Sequence, residues 1–189
     1  MTDLALFESL LSCKTVDELY VKTAAITNRL GFEHFFYGAE LNIAHNPPYQ
    51  FMLSGYPVDW GRHYLESGYQ EIDPVIRHCK QSVVPLLWDD LTALQPAAKK
   101  VMNEAKDFGL ASGVSLSSRG PDGGIGLLSV TVDKNNKQTQ QDMLHALGGV
   151  QLLANYLHES VRMIVLSREV QVVDEIQQRK QIISRIPGR

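Results

Sequence analysis

Apolar positions recur every three or four residues over several segments of the chain, and this spacing predicts amphipathic helices. The predicted helices cover residues 3–12, 16–30, 57–67, 74–80, 96–108 and about 138–166. Gly31 and Gly109 directly follow two of these segments, where a glycine is the residue typical of a helix C-terminal cap. The pattern therefore predicts a chain in which helices make up a large part of the structure.

Shorter runs that are rich in aromatic and β-branched residues lie between the helices and predict strands. The predicted strands cover residues 34–41, 49–53, 83–87, 114–118 and 125–133. The sequence GPDGG at residues 120–124 separates the last two strands and is a strong hairpin turn, so we expect an antiparallel sheet. In the last strand, Leu127, Ser129 and Thr131 share one face.

The long C-terminal helix carries apolar residues at alternating spacings of four and three. These residues are Met143, Leu147, Val150, Ala154, Leu157, Val161 and Ile164. Such a seam is typical both of a helix that packs in a core and of a helix that pairs with a second copy, and the spacing leaves both open. From Ser167 the chain becomes polar and partly basic, which predicts a helix that fades into a linker or tail over residues 167–189.

Composition excludes several classes of protein. The chain has 189 residues, 44% hydrophobic and 21% charged, as expected for one domain with or without a tail. A net charge of −3 gives no general attraction to nucleic acid or membranes, and no apolar run has the length of a membrane span. The N-terminus does not resemble a signal peptide. We therefore expect a cytoplasmic protein with Cys13 and Cys79 as free, buried thiols.

Motifs for catalysis and metal binding are absent from the sequence. It contains no HExxH motif, no phosphate-binding loop and no paired Cys/His spacing, so neither an enzyme nor a metal site is expected. Ser115 follows Gly113, but the segment lacks the second glycine of a nucleophile elbow. Ser115 and Ser129 are better interpreted as polar points that line a pocket, with exposed strand serines as the alternative. His158 is interpreted as a residue on a helix surface.

Residues 56–88 carry the most specific pattern in the chain, in which large aromatic side chains surround one acid. The aromatic residues are Tyr56, Trp60, Tyr64, Tyr69 and Trp88. The first three are four residues apart and share a helix face, which is equally typical of a core. Asp73 directly precedes Pro74, the arrangement expected at a helix start. A buried acid also needs a hydrogen-bond donor, and a small polar ligand would supply one.

The combination of these motifs resembles one family. The order Tyr56-Pro57-x-x-Trp60, Tyr64, Tyr69, Asp73-Pro74-Val75, Pro85-x-x-Trp88 and Gly109-Leu110-x-x-Gly113 resembles the acyl-homoserine-lactone-binding domain of LuxR-type quorum-sensing regulators, and the LasR-like branch in particular. The resemblance implies a three-layer α/β/α sandwich with a roughly five-stranded antiparallel sheet and helices on both faces. It implies a binding domain over residues 1–166. Full-length members of the family add a helix-turn-helix domain, and residues 167–189 show no pattern of one.

The resemblance also implies roles for polar side chains. Trp60 would donate its indole N–H to the lactone carbonyl, and Asp73 would accept from the amide N–H of the signal. Tyr56 and Ser129 would bond the acyl carbonyl beside that amide. The signal molecule is the only ligand implied, with no cofactor or metal.

Other side chains would form the walls of the site. Trp88 would pack beside the lactone ring, and Tyr64 would close over the ligand. The residues around the headgroup and the acyl chain would be Phe36, Gly38, Val75, Ile76, Leu110, Ile125 and Leu127.

Three functions remain open from the sequence. The first is a signal sensor that couples lactone binding to folding, homodimerisation and, through a helix-turn-helix domain absent from this chain, DNA binding. The second is a naturally truncated receptor that inhibits a full-length regulator by heterodimerising through the seam at residues 143–164. The third is a lactone hydrolase, which the missing pairing of nucleophile and base disfavours. A sensor of another small molecule is a variant of the first.

Overall fold

A computed structural model describes residues 4–42, 47–91 and 95–184, with side chains described as far as residue 168. These residues form a five-stranded sheet in which every pair of neighbouring strands is antiparallel. The strands are β1 (His34–Leu41), β2 (Tyr49–Ser54), β3 (Leu86–Leu87), β4 (Ser112–Arg119) and β5 (Ile125–Val132). Their order across the sheet is β2-β1-β5-β4-β3, and β4 and β5 form the predicted hairpin.

Helices cover both faces of this sheet. The described residues contain α1 (Leu4–Glu8), α2 (Val16–Arg29), α3 (Val58–Glu66), α4 (Pro74–Gln81), α5 (Pro96–Asp107) and α6 (Lys137–Ser184). Helices α1, α2 and α6 pack on one face, and α3, α4 and α5 lie on the other. The predicted three-layer α/β/α sandwich is confirmed. Within the described ranges, no helix is long and apolar enough to cross a membrane.

Period-two alternation along β1 separates the two faces of the sheet. Its odd-numbered residues, such as Phe35 and Tyr37, are buried in the main core beneath α1, α2 and α6. Its even-numbered residues lie on the opposite face, where Phe36 pairs with Ser129 of β5 and Gly38 pairs with Leu127. This second face, called the pocket face below, lies beneath α3, α4 and α5.

The apolar seam of α6 belongs to the core of the chain itself. Val150, Leu157 and Val161 have no exposed surface, and Leu147 is half-buried against the same core. Of the two alternatives that the spacing left open, the structure therefore shows the core helix, and the buried seam residues are not available as a dimer contact. The helix also continues to Ser184 without a break at residue 167, well beyond the span of about 138–166 that its apolar spacing predicts.

His158 in α6 is buried, so the prediction that it lies on the helix surface is wrong. His158 is only 3% exposed, and its Nδ1 lies 2.7 Å from the Tyr37 hydroxyl on β1. Its ring lies against Gly126 of β5, where a Cβ atom would come within 2.5 Å of Nδ1. A glycine is thus required there because the imidazole occupies the space of a side chain.

Burial of this imidazole predicts a pH dependence of stability. Desolvation lowers the pKa of His158, although the nearby carboxylates of Asp122 and Glu159 raise it and Arg162 and Arg119 lower it further. In the unfolded chain the ring takes up a proton near pH 6.5, whereas in the folded protein it resists protonation, so stability is lost as the pH falls. Between pH 7.5 and 5.5, the wild type should lose about 1 kcal/mol of unfolding free energy relative to His158→Gln. Urea titrations at each pH give the unfolding free energy of the two proteins. If that free energy changes with pH by the same amount in both, His158 is not the source of the pH dependence.

Candidate functional site

A cluster of aromatic side chains, called the aromatic cluster below, fills the space beneath α3 and α5 beside the pocket face. Its members are Tyr56, Trp60, Tyr64, Tyr69, Trp88, Val101, Ala105, Phe108 and Leu110. Trp60 is 4% exposed and meets the edge of Tyr64 at a centroid distance of 5.6 Å. All five aromatic residues predicted from residues 56–88 are thus brought together. Phe108, which the sequence analysis missed, packs 5.4 Å from Trp60.

Asp73 caps α4 and also faces the aromatic cluster. Its Oδ1 accepts from the backbone N–H of Val75 at 2.7 Å, which confirms the predicted helix cap. Its Oδ2 accepts from the Tyr64 hydroxyl, also at 2.7 Å. The protein thus supplies two hydrogen-bond donors to the carboxylate. The sequence predicts that a ligand would supply a donor, but the carboxylate does not depend on one. Burial raises the pKa of Asp73, and the hydrogen bonds from Tyr64 and from the Val75 and Ile76 backbone oppose that shift.

Two serines form a polar bridge across the pocket face. Ser115 of β4 and Ser129 of β5 are directly opposed, and their hydroxyl oxygens lie 2.6 Å apart. The indole N–H of Trp88 donates to the Ser115 hydroxyl at 2.8 Å. Both serines are almost fully buried, so the alternative of exposed strand serines is wrong.

Two hydroxyls beside this bridge are buried without a hydrogen-bond partner among the described residues, those of Tyr56 and Thr131. Burial raises the pKa of Tyr56, the hydroxyls of Ser129 and Thr131 lower it, and the charge of Asp73 raises it further. An unpartnered buried hydroxyl costs about 1–3 kcal/mol. A polar group that entered this region would therefore find hydrogen-bonding atoms already in position.

A cavity of about 500 Å³ lies between the pocket face and α4. The polar residues Tyr56, Asp73 and Ser129 are not among the residues that line it. Five of the predicted site residues line it, namely Phe36, Gly38, Ile76, Ile125 and Leu127. Phe36 connects the cavity to the aromatic cluster, because its ring centroid lies 5.8 Å from that of Tyr56. Leu127 also packs against the group that contains Val75 and Trp88. The predicted residues thus divide into a polar aromatic end and a largely apolar cavity.

Several residues that line the cavity were missed by the sequence analysis. They are Ala39, Glu40, Gln50, Phe51, Met52, Gln70, Glu71, Cys79 and Lys80. Strand periodicity could have indicated Glu40, which lies two residues beyond Gly38 on the same face. Met52 could not be assigned in the same way, because its place opposite Gly38 depends on the register of β2.

A second polar group holds the outer side of the aromatic cluster. Glu104 of α5 accepts from the Tyr69 hydroxyl, and its Oε2 lies 2.6 Å from Nε2 of His63 on α3. The hydrogen bond from Tyr69 lowers the pKa of Glu104 the most, and the hydrogen bond from His63 lowers it further. The arrangement ties α3 to α5 and fixes the Tyr69 ring. In the portion of the chain that the structure describes, no group of His, Cys, Asp and Glu residues could hold a metal ion.

The fold and the site together define a ligand-binding domain, with buried polar atoms next to an apolar cavity. Residues 15–161 match the family model described as the autoinducer binding domain, and the chain therefore belongs to the autoinducer-binding-domain family of LuxR-type regulators. The family is one of transcriptional regulators in quorum sensing and not of enzymes.

Relatives with curated descriptions are regulators of this type. The transcriptional activator AnoR from Acinetobacter nosocomialis is 29% identical over 160 residues, which is 85% of this chain and 67% of AnoR. The quorum-sensing regulator RhlR from Pseudomonas aeruginosa is 32% identical over 108 residues, 57% of this chain and 44% of RhlR. The chain thus spans only part of the length of these proteins.

Solved structures share the fold. CepR2 from Burkholderia cenocepacia, an N-acylhomoserine-lactone-dependent LuxR-family transcription factor, aligns with a TM-score of 0.64 at 21% identity, over 87% of this chain and 93% of CepR2. SdiA from Escherichia coli aligns with a TM-score of 0.64 at 21% identity, over 82% of this chain and 64% of SdiA. These alignments support the same three-layer architecture.

Proposed function

We propose that this domain binds an N-acyl-homoserine lactone between the pocket face and the helices α3, α4 and α5. The observation that carries the proposal is the pair of unpartnered buried hydroxyls of Tyr56 and Thr131. Tyr56 lies within reach of the Asp73 charge, and its ring packs against Phe36, which lines the apolar cavity. Such a site fits a ligand with a compact polar head and an apolar tail.

The polar groups match the head of such a ligand in number and kind. A homoserine lactone with an acyl chain offers one amide N–H and two carbonyl oxygens. Each oxygen of Asp73 has a second lone pair, so the carboxylate can accept the amide N–H in addition to its two protein donors. Tyr56 can donate to the acyl carbonyl next to Ser129. The Trp60 indole N–H, which makes no hydrogen bond within the described residues, can donate to the lactone carbonyl.

The tail would lie in the cavity that Phe36, Ile76, Ile125 and Leu127 line. Each CH₂ group that is buried contributes about 0.8 kcal/mol. Because the ligand binds only the folded protein, a concentration of a hundred times its Kd stabilises the domain by about 2.7 kcal/mol. This coupling supports a sensor in which the signal favours the folded state.

In the full-length protein we propose that lactone binding promotes homodimerisation and DNA binding through a helix-turn-helix domain outside these residues. The regulators AnoR and RhlR, of which this chain matches a part, support that role. A cytoplasmic location fits a regulator of this kind. An inhibitor that heterodimerises would need a surface other than the 143–164 seam, because that seam is buried in the core.

Thermal unfolding against a panel of ligands tests the proposal. The panel contains acyl-homoserine lactones of four to fourteen acyl carbons and octanoyl glycerol, the acyl ligand of a solved SdiA complex. The proposal predicts a rise of about 5–10 °C in Tm for the best lactone and a smaller rise for octanoyl glycerol. A flat profile from a folded protein would reject lactone binding. A larger rise with octanoyl glycerol would mean that the polar head group of the ligand is not a homoserine lactone.

Replacing Trp60 by Phe separates a role in binding from a role in packing. The change removes the indole N–H but keeps an aromatic ring, and it should weaken lactone binding by about 5- to 30-fold, the effect of one buried hydrogen bond. Phe108→Leu is the matched control, because Phe108 packs against Trp60 without a polar atom. It should lower Tm and leave the preference for lactone over octanoyl glycerol unchanged. If Trp60→Phe behaves in the same way as this control, the aromatic cluster is only a core.

A further inference from the structure

An ion pair stands at the end of the cavity that is farthest from the aromatic cluster. Nζ of Lys80, near the end of α4, donates to Oε1 of Glu40 on β1 at 2.8 Å, and both residues line the cavity. The two side chains are 55% and 37% exposed, so the pair lies where the cavity meets solvent. Between this ion pair and Ser129 the pocket face presents Gly38, Leu127 and Ile125, which offer no side-chain polar group.

A second contact holds the backbone at Lys80. Arg119, at the end of β4, donates from Nη2 to the backbone carbonyls of Cys79 at 3.1 Å and Lys80 at 3.2 Å. Carbonyls in the last turn of a helix have no partner within the helix, so an arginine is well suited to bind them. Both residues of the ion pair therefore stand on backbone that belongs to the sheet or is held to it.

The register of the sheet gives the distance between the two ends of the site. Phe36 is opposite Ser129 and Glu40 is opposite Ile125, so the ion pair lies four residues along the strands from the serine bridge. At about 3.2–3.4 Å per residue this is about 13 Å. A carbon–carbon bond of about 1.5 Å advances an extended acyl chain by about 1.3 Å, so about eight to ten carbons cover the distance.

We propose that the Lys80–Glu40 ion pair is the distal stop of the acyl site and limits the ligand to acyl chains of about eight to ten carbons. This inference rests on the proposed function. A chain within the limit gains about fourfold in affinity for each added CH₂ that is buried. A longer chain brings methyl and methylene groups against the two charges, and it must either desolvate them or separate them. The gain in affinity therefore stops at the ion pair.

The test measures the affinity of acyl-homoserine lactones from hexanoyl to tetradecanoyl for the wild type and three variants. The double variant Lys80→Met with Glu40→Met makes the stop apolar, and its ratio of dodecanoyl to decanoyl affinity should rise about tenfold over that of the wild type. The exchanged pair Lys80→Glu with Glu40→Lys keeps both charges and should keep the wild-type optimum. Lys100→Met removes a pair with Glu104 outside the cavity and should change nothing in the chain-length profile.

Each outcome decides the matter. If lactones bind all four proteins with the same chain-length profile, the ion pair is not a stop, whereas the proposed function stands. If the exchanged pair shifts the optimum as far as the apolar variant does, side-chain shape and not charge sets the limit, and the inference is overturned. If no lactone of any length binds the folded wild type, both the proposed function and the inference fail.

Discussion

Asp73→Asn should weaken lactone binding by about 10- to 150-fold. A hydrogen bond to a charged group contributes about 1.5–3 kcal/mol. The variant replaces the charged carboxylate, which accepts a hydrogen bond from the amide N–H of the ligand, with a neutral amide. Asparagine keeps one oxygen that can accept from the Val75 N–H, so the start of α4 should survive. Its amide group can no longer accept, and two donors would then face each other at the Tyr64 hydroxyl or at the ligand.

Tyr64→Phe is the matched control for this variant. It removes the hydroxyl that donates to Oδ2 of Asp73 but leaves the carboxylate in place. The affinity of Tyr64→Phe should therefore fall much less than that of Asp73→Asn. Because burial raises the pKa of Asp73, lactone affinity of the wild type should also decline at a higher pH than for an ordinary carboxyl as the solution is acidified. If titration calorimetry gives equal affinities for wild type and Asp73→Asn, the carboxylate takes no part in binding.

Leu157→Ala should lower the free energy of unfolding by about 2–5 kcal/mol. Leu157 has no exposed surface and packs in the main core between α6 and the sheet, so the change removes apolar contacts and leaves a cavity. The loss should be the same at every protein concentration, because the contacts are made within one chain. Chemical denaturation followed by circular dichroism measures it.

Leu144→Ala on the same helix is the control. Leu144 is 51% exposed, so its truncation should change the unfolding free energy by no more than about 0.5 kcal/mol. A Leu157→Ala effect that disappears at high protein concentration would instead indicate that the seam is an interface between chains. Such a result would return the heterodimerising inhibitor to consideration.

Most of the fold follows from local patterns. The hairpin between β4 and β5 was predictable because its glycine-rich turn lies between two alternating strands, and α4 because Asp73 and Pro74 mark its start. The role of the α6 seam was not predictable, since a core helix and a paired helix share one spacing. The point at which α6 fades was not predictable either, because a polar composition does not by itself stop a helix, and Ser167 brings neither glycine nor proline.

The aromatic end of the site was largely predictable from the sequence, but most of the residues that line the cavity and the hydrogen bonds within the site were not. The aromatic residues are close to one another in the sequence. Ser129 and the predicted cavity residues lie in distant segments, and only the resemblance to a known family assigned them to the site. Which atoms bond to which depends on rotamers and on contacts across the sheet. The Tyr64–Asp73 hydrogen bond and the Lys80–Glu40 ion pair are therefore visible only in three dimensions. His158 was missed for a related reason, because its burial depends on the rotation of α6 against Tyr37.

Isothermal titration calorimetry with octanoyl-homoserine lactone and its ring-opened octanoyl-homoserine is the most direct measurement of lactone binding by this domain. Both compounds carry the same acyl chain, but only the ring-opened form adds a carboxylate beside Asp73. We expect the closed lactone to bind with one site per chain and at least tenfold more tightly than the ring-opened compound, since a second carboxylate would repel the first. Equal affinities, or no heat of binding to the folded protein with either compound, would contradict a lactone site formed by Asp73, Trp60 and Tyr56.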